Sequence, residues 1–112
     1  ALPVTIEKGD DRVEAPQGIE PVVADATHPI VAGLEPTWPI LLGYNRIAAK
    51  PDATLVASVG QDPLIVAGTF GKGRSVAFAS DCGPHWAPPP FVDWAGYDRL
   101  WTQLCDWAAN QA

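Results

Sequence analysis

Residues 62–80, DPLIVAGTFGKGRSVAFAS, constrain the fold more than any other part of the chain. Two β-rich runs, residues 64–70 and 74–80, are joined by Gly71, Lys72 and Gly73. Glycines supply the positive φ that a tight hairpin turn or bulge needs, so the pattern predicts an antiparallel hairpin. On the second run both faces are apolar or small, with Val76 and Phe78 on one side and Ala77 and Ala79 on the other. A strand of that kind suits the middle of a sheet covered on both sides.

The rest of the chain supplies partners for that hairpin. Residues 2–7 read as a short strand followed by a charged turn, KGDD, at residues 8–11. Residues 14–21, with two prolines, read as loop, and residues 19–24 as extended. Pro29 biases His28 away from helix, and residues 30–33 form one short helical turn that Gly33 stops. ILLGYNRI, residues 40–47, reads as a strand with a weak point at Gly43. TLVASV, residues 54–59, is a strand, and GQDP, residues 60–63, the turn after it. Residues 83–90, GPHWAPPP, carry too many prolines for regular structure. From Val92 to about Ala109 the period changes. Trp94, Tyr97, Trp101, Leu104, Cys105 and Ala108 form one apolar helical stripe, with Asp93 as N-cap or first-turn acid. Arg99, Thr102, Gln103, Asp106 and Asn110 take the opposite face. Three of the five tryptophans fall in or beside this helix, which must dock on the sheet to cover them. Read alone, the order is α+β with antiparallel pairing.

Composition removes several function classes. The 112 residues fit a single domain, and 47% apolar residues give it a core despite 12 prolines. A net charge of −6 with scattered Lys and Arg argues against a nucleic-acid groove. No apolar run approaches the roughly 20 residues of a membrane span, and no signal peptide is read at the start. Two cysteines make no disulfide framework and read as reduced thiols of a cytoplasmic protein. The chain has no Met and opens as if a strand were entered in mid-protein, which suggests a fragment or processed piece.

Four stretches together carry a resemblance. They are HPI and GL in residues 28–34, LLGYNR in 41–46, DPLIVAGTFGKGRSVAFASDCGPHW in 62–86, and W, GY and LW in 94–101. In this order they resemble the C-terminal half of the class I glutamine-amidotransferase-like proteins, in a branch close to the ThuA-like proteins. The resemblance covers nearly the whole chain and is most specific over residues 71–85. It implies part of a flavodoxin-like three-layer α/β/α domain. The parallel βα units that carry the nucleophile elbow would lie outside these residues.

Glutamine amidotransfer needs a Cys thiolate on a strained turn, a His base and an acid that orients the His. The family's Gly-x-Cys-x-Gly elbow and His-x-Glu pair are both missing. Cys82 has no Gly two residues before it, and Pro84 blocks an immediate helix; neither His85 nor His28 has a Glu two residues on. Three readings of Asp81, Cys82 and His85 stay open. They are a hydrogen-bonded structural loop, a His lining a cleft completed by a nucleophile from the absent half, or a self-sufficient Cys82–His85 pair. As metal ligands Cys82 and His85 are too few unless His28 converges on them, and no metal or other cofactor is expected. Tyr44 and Arg46 interrupt an apolar strand, so they either reach solvent at its end or line the cleft of His85 with a small-molecule ligand. Trp86, beside three prolines, either covers core or forms a binding surface. The alternative function is a non-catalytic assembly module whose sheet edge pairs with a second copy or a second polypeptide.

Overall fold

The computed structural model describes residues 3–6, 12–80 and 86–109. The predicted turn at 8–11 and the candidate residues Asp81, Cys82 and His85 lie outside them. The fold is mixed α/β and rich in antiparallel strands. Its strands are β1 (Val4–Ile6), β2 (Arg12–Ile19), β3 (Pro21–Val23), β4 (Leu41–Asn45), β5 (Ile47–Ala49), β6 (Thr54–Val59), β7 (Asp62–Phe70) and β8 (Gly73–Phe78). Two helices follow, α1 (Pro89–Val92) and α2 (Tyr97–Ala109), and a 3₁₀ turn, Pro29–Val31, precedes β4.

The predicted hairpin forms one side, β7-β8, of a four-stranded sheet ordered β3-β6-β7-β8, antiparallel throughout. Both of its tight turns use one glycine at positive φ, Gly60 between β6 and β7 and Gly71 between β7 and β8. Gly73, the second glycine of the predicted turn, does not share that conformation.

The sheet is covered differently on its two faces. Ile65, Ala67, Val76 and Phe78 face a core that includes Ile30, Phe91, Leu100 and Leu104. Val66 and Ala79, with Ala77 against them, face Val4 and Ile47 from the separate β1-β5 pair. Alternation along the strands produces both contacts from one sequence pattern. Every residue of β8 is nevertheless only half-buried, and β8 is an edge strand among the described residues. The predicted central position is therefore not what these residues build by themselves.

Further expectations change. Residues 14–21 are strand rather than loop up to Ile19, because β2 pairs with β4 across a bulge between Glu14 and Ile19. The bulge absorbs Pro16 and places Gly18 at φ 88°, conformations a regular ladder would reject. The predicted strand over 40–47 divides at Arg46, where the chain leaves β2 as partner and β5 takes β1. The last helix starts at Tyr97, not Val92. Pro89 and Pro90 instead open the one-turn α1, since a ring-locked φ suits the first helical positions. Asp93 is the C-cap of α1, not an N-cap. With α2 starting later, its fully buried side chain is Leu100, and Cys105 is an exposed free thiol.

Arg99 and Gln103, assigned by periodicity to the outer face, reach back to the 3₁₀ turn. Arg99 Nε donates to the backbone carbonyl of Ala32 at 3.0 Å and to the side-chain Oε1 of Gln103 at 2.9 Å, and Gln103 Nε2 donates to the backbone carbonyl of Ile30 at 2.8 Å. The Ala32 and Ile30 carbonyls are of the kind a short helical turn leaves without partners. At the other end of the turn His28 is the N-cap, its Nδ1 accepting from the Ile30 N–H at 3.2 Å. The His28 ring also packs on Trp107, 5.0 Å between centroids.

Burial, then the charge of Arg74, push the His28 pKa below its usual value, and Asp25 only partly opposes them. A depressed folded-state pKa means stability that is whole above the unfolded His pKa near 6.5 and is lost as pH falls through the folded value. The capping Nδ1 must also be unprotonated to accept. Urea midpoints at pH 7.5 and 5.5 should therefore fall more for the native chain than for His28→Asn, which can still cap but does not titrate. An equal fall in both proteins would remove His28 from the pH response.

Candidate functional site

Of the sequence-predicted residues, Tyr44 lies on β4, Arg46 just past its end, and Trp86 against it. The described residues on either side of 81–85 are tied to β4. The Asn45 N–H donates to the Ala79 carbonyl at 2.7 Å, and the Ser80 hydroxyl donates to the Gly43 carbonyl at 2.6 Å. On the return side the Leu42 N–H donates to the Trp86 carbonyl at 2.8 Å. Three residues of β4, Leu42, Gly43 and Asn45, thus hold the residues on either side of 81–85.

Trp86 is held by Gly43. A Cβ added at Gly43 would lie 2.4 Å from Trp86 Nε1 and 2.6 Å from Cε2, so only glycine lets the indole lie this close to the strand. The indole N–H then donates to Glu14 Oε1 at 3.1 Å, and Glu14 is the cross-strand partner of Gly43. Trp86 is 6% exposed, so in this chain its ring is packed against the strand rather than presented to solvent.

Tyr44 points to the other face, as alternation along a strand requires. Its hydroxyl donates to Asp62 Oδ2 at 2.6 Å, beside the Gly60 turn. Arg46 Nε approaches the same oxygen at 3.8 Å. Burial, together with the Asp62 carboxylate, pushes the Tyr44 phenol up to about 12. Tyr44 therefore stays a hydrogen-bond donor across the neutral range. Arg46 has 53% of its side chain exposed, so its contact with Asp62 is screened and weak.

The structure therefore brings Tyr44 and Arg46 together and puts Trp86 on the opposite face of the same strand. Asp62, which joins Tyr44 to Arg46, was read from sequence only as part of a turn. Nothing in the local pattern marks it, because its partner is 18 residues away. Glu14 was likewise assigned to a loop. His28 is occupied as the cap of the 3₁₀ turn. Among the described residues no three His, Cys, Asp or Glu side chains converge as metal ligands. No helix among the described residues is long and apolar enough to cross a membrane.

A strand-rich α/β frame agrees with the comparisons to known proteins. The chain belongs to a family described as putative glutamine amidotransferase (GATase1_like), which it matches over residues 1–110. Two solved structures from Salmonella typhimurium superpose closely. The cytoplasmic protein STM3548 is 40% identical with a TM-score of 0.93, and the match covers 98% of this chain and 44% of that one. The cytoplasmic protein STM1381, from strain LT2, is 41% identical with a TM-score of 0.92, covering 97% and 44%. The chain thus spans less than half the length of the solved relatives it matches. No curated protein matches it.

Proposed function

We propose that this chain is one part of a cytoplasmic glutamine-amidotransferase-like domain, of flavodoxin-like three-layer type. In this reading it presents the 81–85 loop, with His85, to a cleft completed by residues outside the 112. The observation that carries the reading is the anchoring of both loop ends on β4, in a family member that lacks the Gly-x-Cys-x-Gly elbow. A rigid strand gives a loop residue the fixed position that base catalysis needs. Tyr44 on β4, and Arg46 just past its end, would orient an anionic small-molecule ligand such as an amino-acid carboxylate.

The reaction class is hydrolysis or amide-nitrogen transfer. A thiolate attacks the amide carbonyl, the C–N bond breaks, and ammonia leaves with a proton delivered by the imidazolium. In both cases water then hydrolyses the thioester to the acid and returns the thiol, and in transfer the released ammonia adds to an acceptor. His85 would move these protons, with Asp81 as a candidate to orient it. The nucleophile would come from the other part of the domain, and Cys82 would not serve.

Iodoacetamide labelling tests this with an internal reference, because Cys105 is an exposed free thiol. Cys82 is expected to label no faster than Cys105 near pH 7. Labelling ten or more times faster would mean a thiolate activated within the chain and would overturn the split-site reading.

Among the described residues no strand covers the outer edge of β8, and this favours a second reading, a non-catalytic module that assembles through its sheet. Native mass spectrometry separates the two: a stable homodimer at low micromolar concentration supports the module, and a folded monomer removes it.

A further inference from the structure

We propose that the free edge of β8 is the seam at which the rest of the relative-length fold adds a β-strand. This rests on the reading that the chain is one part of a longer domain.

The register decides which backbone groups are available. The two-residue turn closes on the pair Phe70 and Gly73, so Gly68 with Ser75 and Val66 with Ala77 are the hydrogen-bonded pairs between β7 and β8. Arg74, Val76 and Phe78 then aim their N–H and C=O groups away from β7. No described strand pairs with that side of β8.

Three further observations favour an occupant. Edge strands are ordinarily blunted by charge, proline or bulges, because a bare edge templates pairing. Over residues 74–78 β8 has no proline and one charged residue. That residue, Arg74, is folded back, 4.8 Å over the Trp107 ring with a hydrogen bond to the Trp107 carbonyl. Second, β8 is half-buried along its whole length while β7 beside it holds Leu64, Ile65 and Val66 at zero exposure. Both faces of β8 are apolar at Val76, Ala77 and Phe78, the pattern of a strand with neighbours on either side. Third, Trp101 packs edge-on against Phe78, and its indole N–H is buried without a hydrogen-bond partner among the described residues. A group of that kind calls for an acceptor.

The occupant follows from length. More than half of each Salmonella protein lies outside the match, although this chain is covered almost completely. We commit to a strand from that remaining part, apolar on both faces, bonded to Arg74, Val76 and Phe78.

Amide hydrogen exchange on two proteins tests it, this chain and intact STM3548. In this chain the amides of Arg74, Val76 and Phe78 should exchange at near free-edge rates, while those of Ser75 and Ala77 are protected. In intact STM3548 the amides matched to Arg74, Val76 and Phe78 should be slowed about 100-fold or more, into the range of those matched to Ser75 and Ala77. Matched amides as fast as those of this chain would overturn the seam. So would protection in this chain that is independent of concentration, because the edge would then be closed from within. Protection here that grows with protein concentration would give the edge to a second copy and overturn the occupant we name. Rapid labelling of Cys82 would sink the split active site and leave this result untouched.

Discussion

Gly43→Ala is expected to destabilise the fold by about 3 kcal/mol, at the upper end of what overpacking costs. Backbone preference argues the other way, since glycine in a strand interior is weaker than alanine by about 0.5–1 kcal/mol. Packing decides the sign. The added methyl would sit 2.4 Å from the Trp86 ring nitrogen, and an indole this buried cannot swing aside without opening core. Displacing it also breaks the bond to Glu14 and pulls on the Trp86 carbonyl that anchors β4. A thermal midpoint lower by more than about 10 °C is the expected reading. The pair Gly43→Ala with Trp86→Leu should recover part of the loss relative to the sum of the single changes, because the smaller side chain vacates the contested space. If Gly43→Ala alone were neutral or stabilising, the close approach of Trp86 to β4 would be wrong. The idea that β4 holds the 81–85 loop rigidly would go with it.

What sequence reveals and what it hides divide along a physical line. Local signals were readable: strand β6 falls on the residues that TLVASV marked, the hairpin forms around Gly71, and the turn at 30–33 ends at Gly33 with φ 77°. Each depends on residues within a few positions of one another. Partner choice was not readable. Nothing near Arg46 announces that the chain changes sheets there, because the reason lies in β1, some 40 residues earlier. The same holds for the Tyr44–Asp62 bond and for Trp86 reaching Glu14 across 72 residues. Periodicity placed Arg99 and Gln103 opposite the apolar stripe, where Arg99 is exposed, but could not show their contacts. They point outward by spacing, yet they are long enough to return to the carbonyls of the 3₁₀ turn. The family resemblance rested on runs of sequence, and membership bears it out. Tyr44, Arg46 and Trp86 are each placed by contacts with residues far away in sequence, which no local pattern announces.

Phe91→Ala should cost about 4 kcal/mol, the largest single effect expected here. Phe91 has no exposed surface and packs against Trp94 and Tyr97, at 5.7 and 6.1 Å between centroids. It is the only fully buried side chain of α1, whose single turn cannot persist on helix propensity alone. Removing the ring therefore empties a cavity and also releases the segment that connects Trp86 to α2. Phe91→Leu keeps most of the volume and should cost under about 1.5 kcal/mol. The two variants separate local packing from loop support when each is followed by iodoacetamide labelling of Cys82. If α1 clamps the downstream end of the 81–85 loop, Phe91→Ala should change the labelling rate of Cys82 at a urea concentration where the fold remains intact, with Cys105 unchanged. Phe91→Leu should leave both rates as they were. Equal behaviour of the two thiols in both variants would mean that α1 stabilises the core without steadying the loop. Loop position would then rest on β4 and the Gly43–Trp86 contact alone.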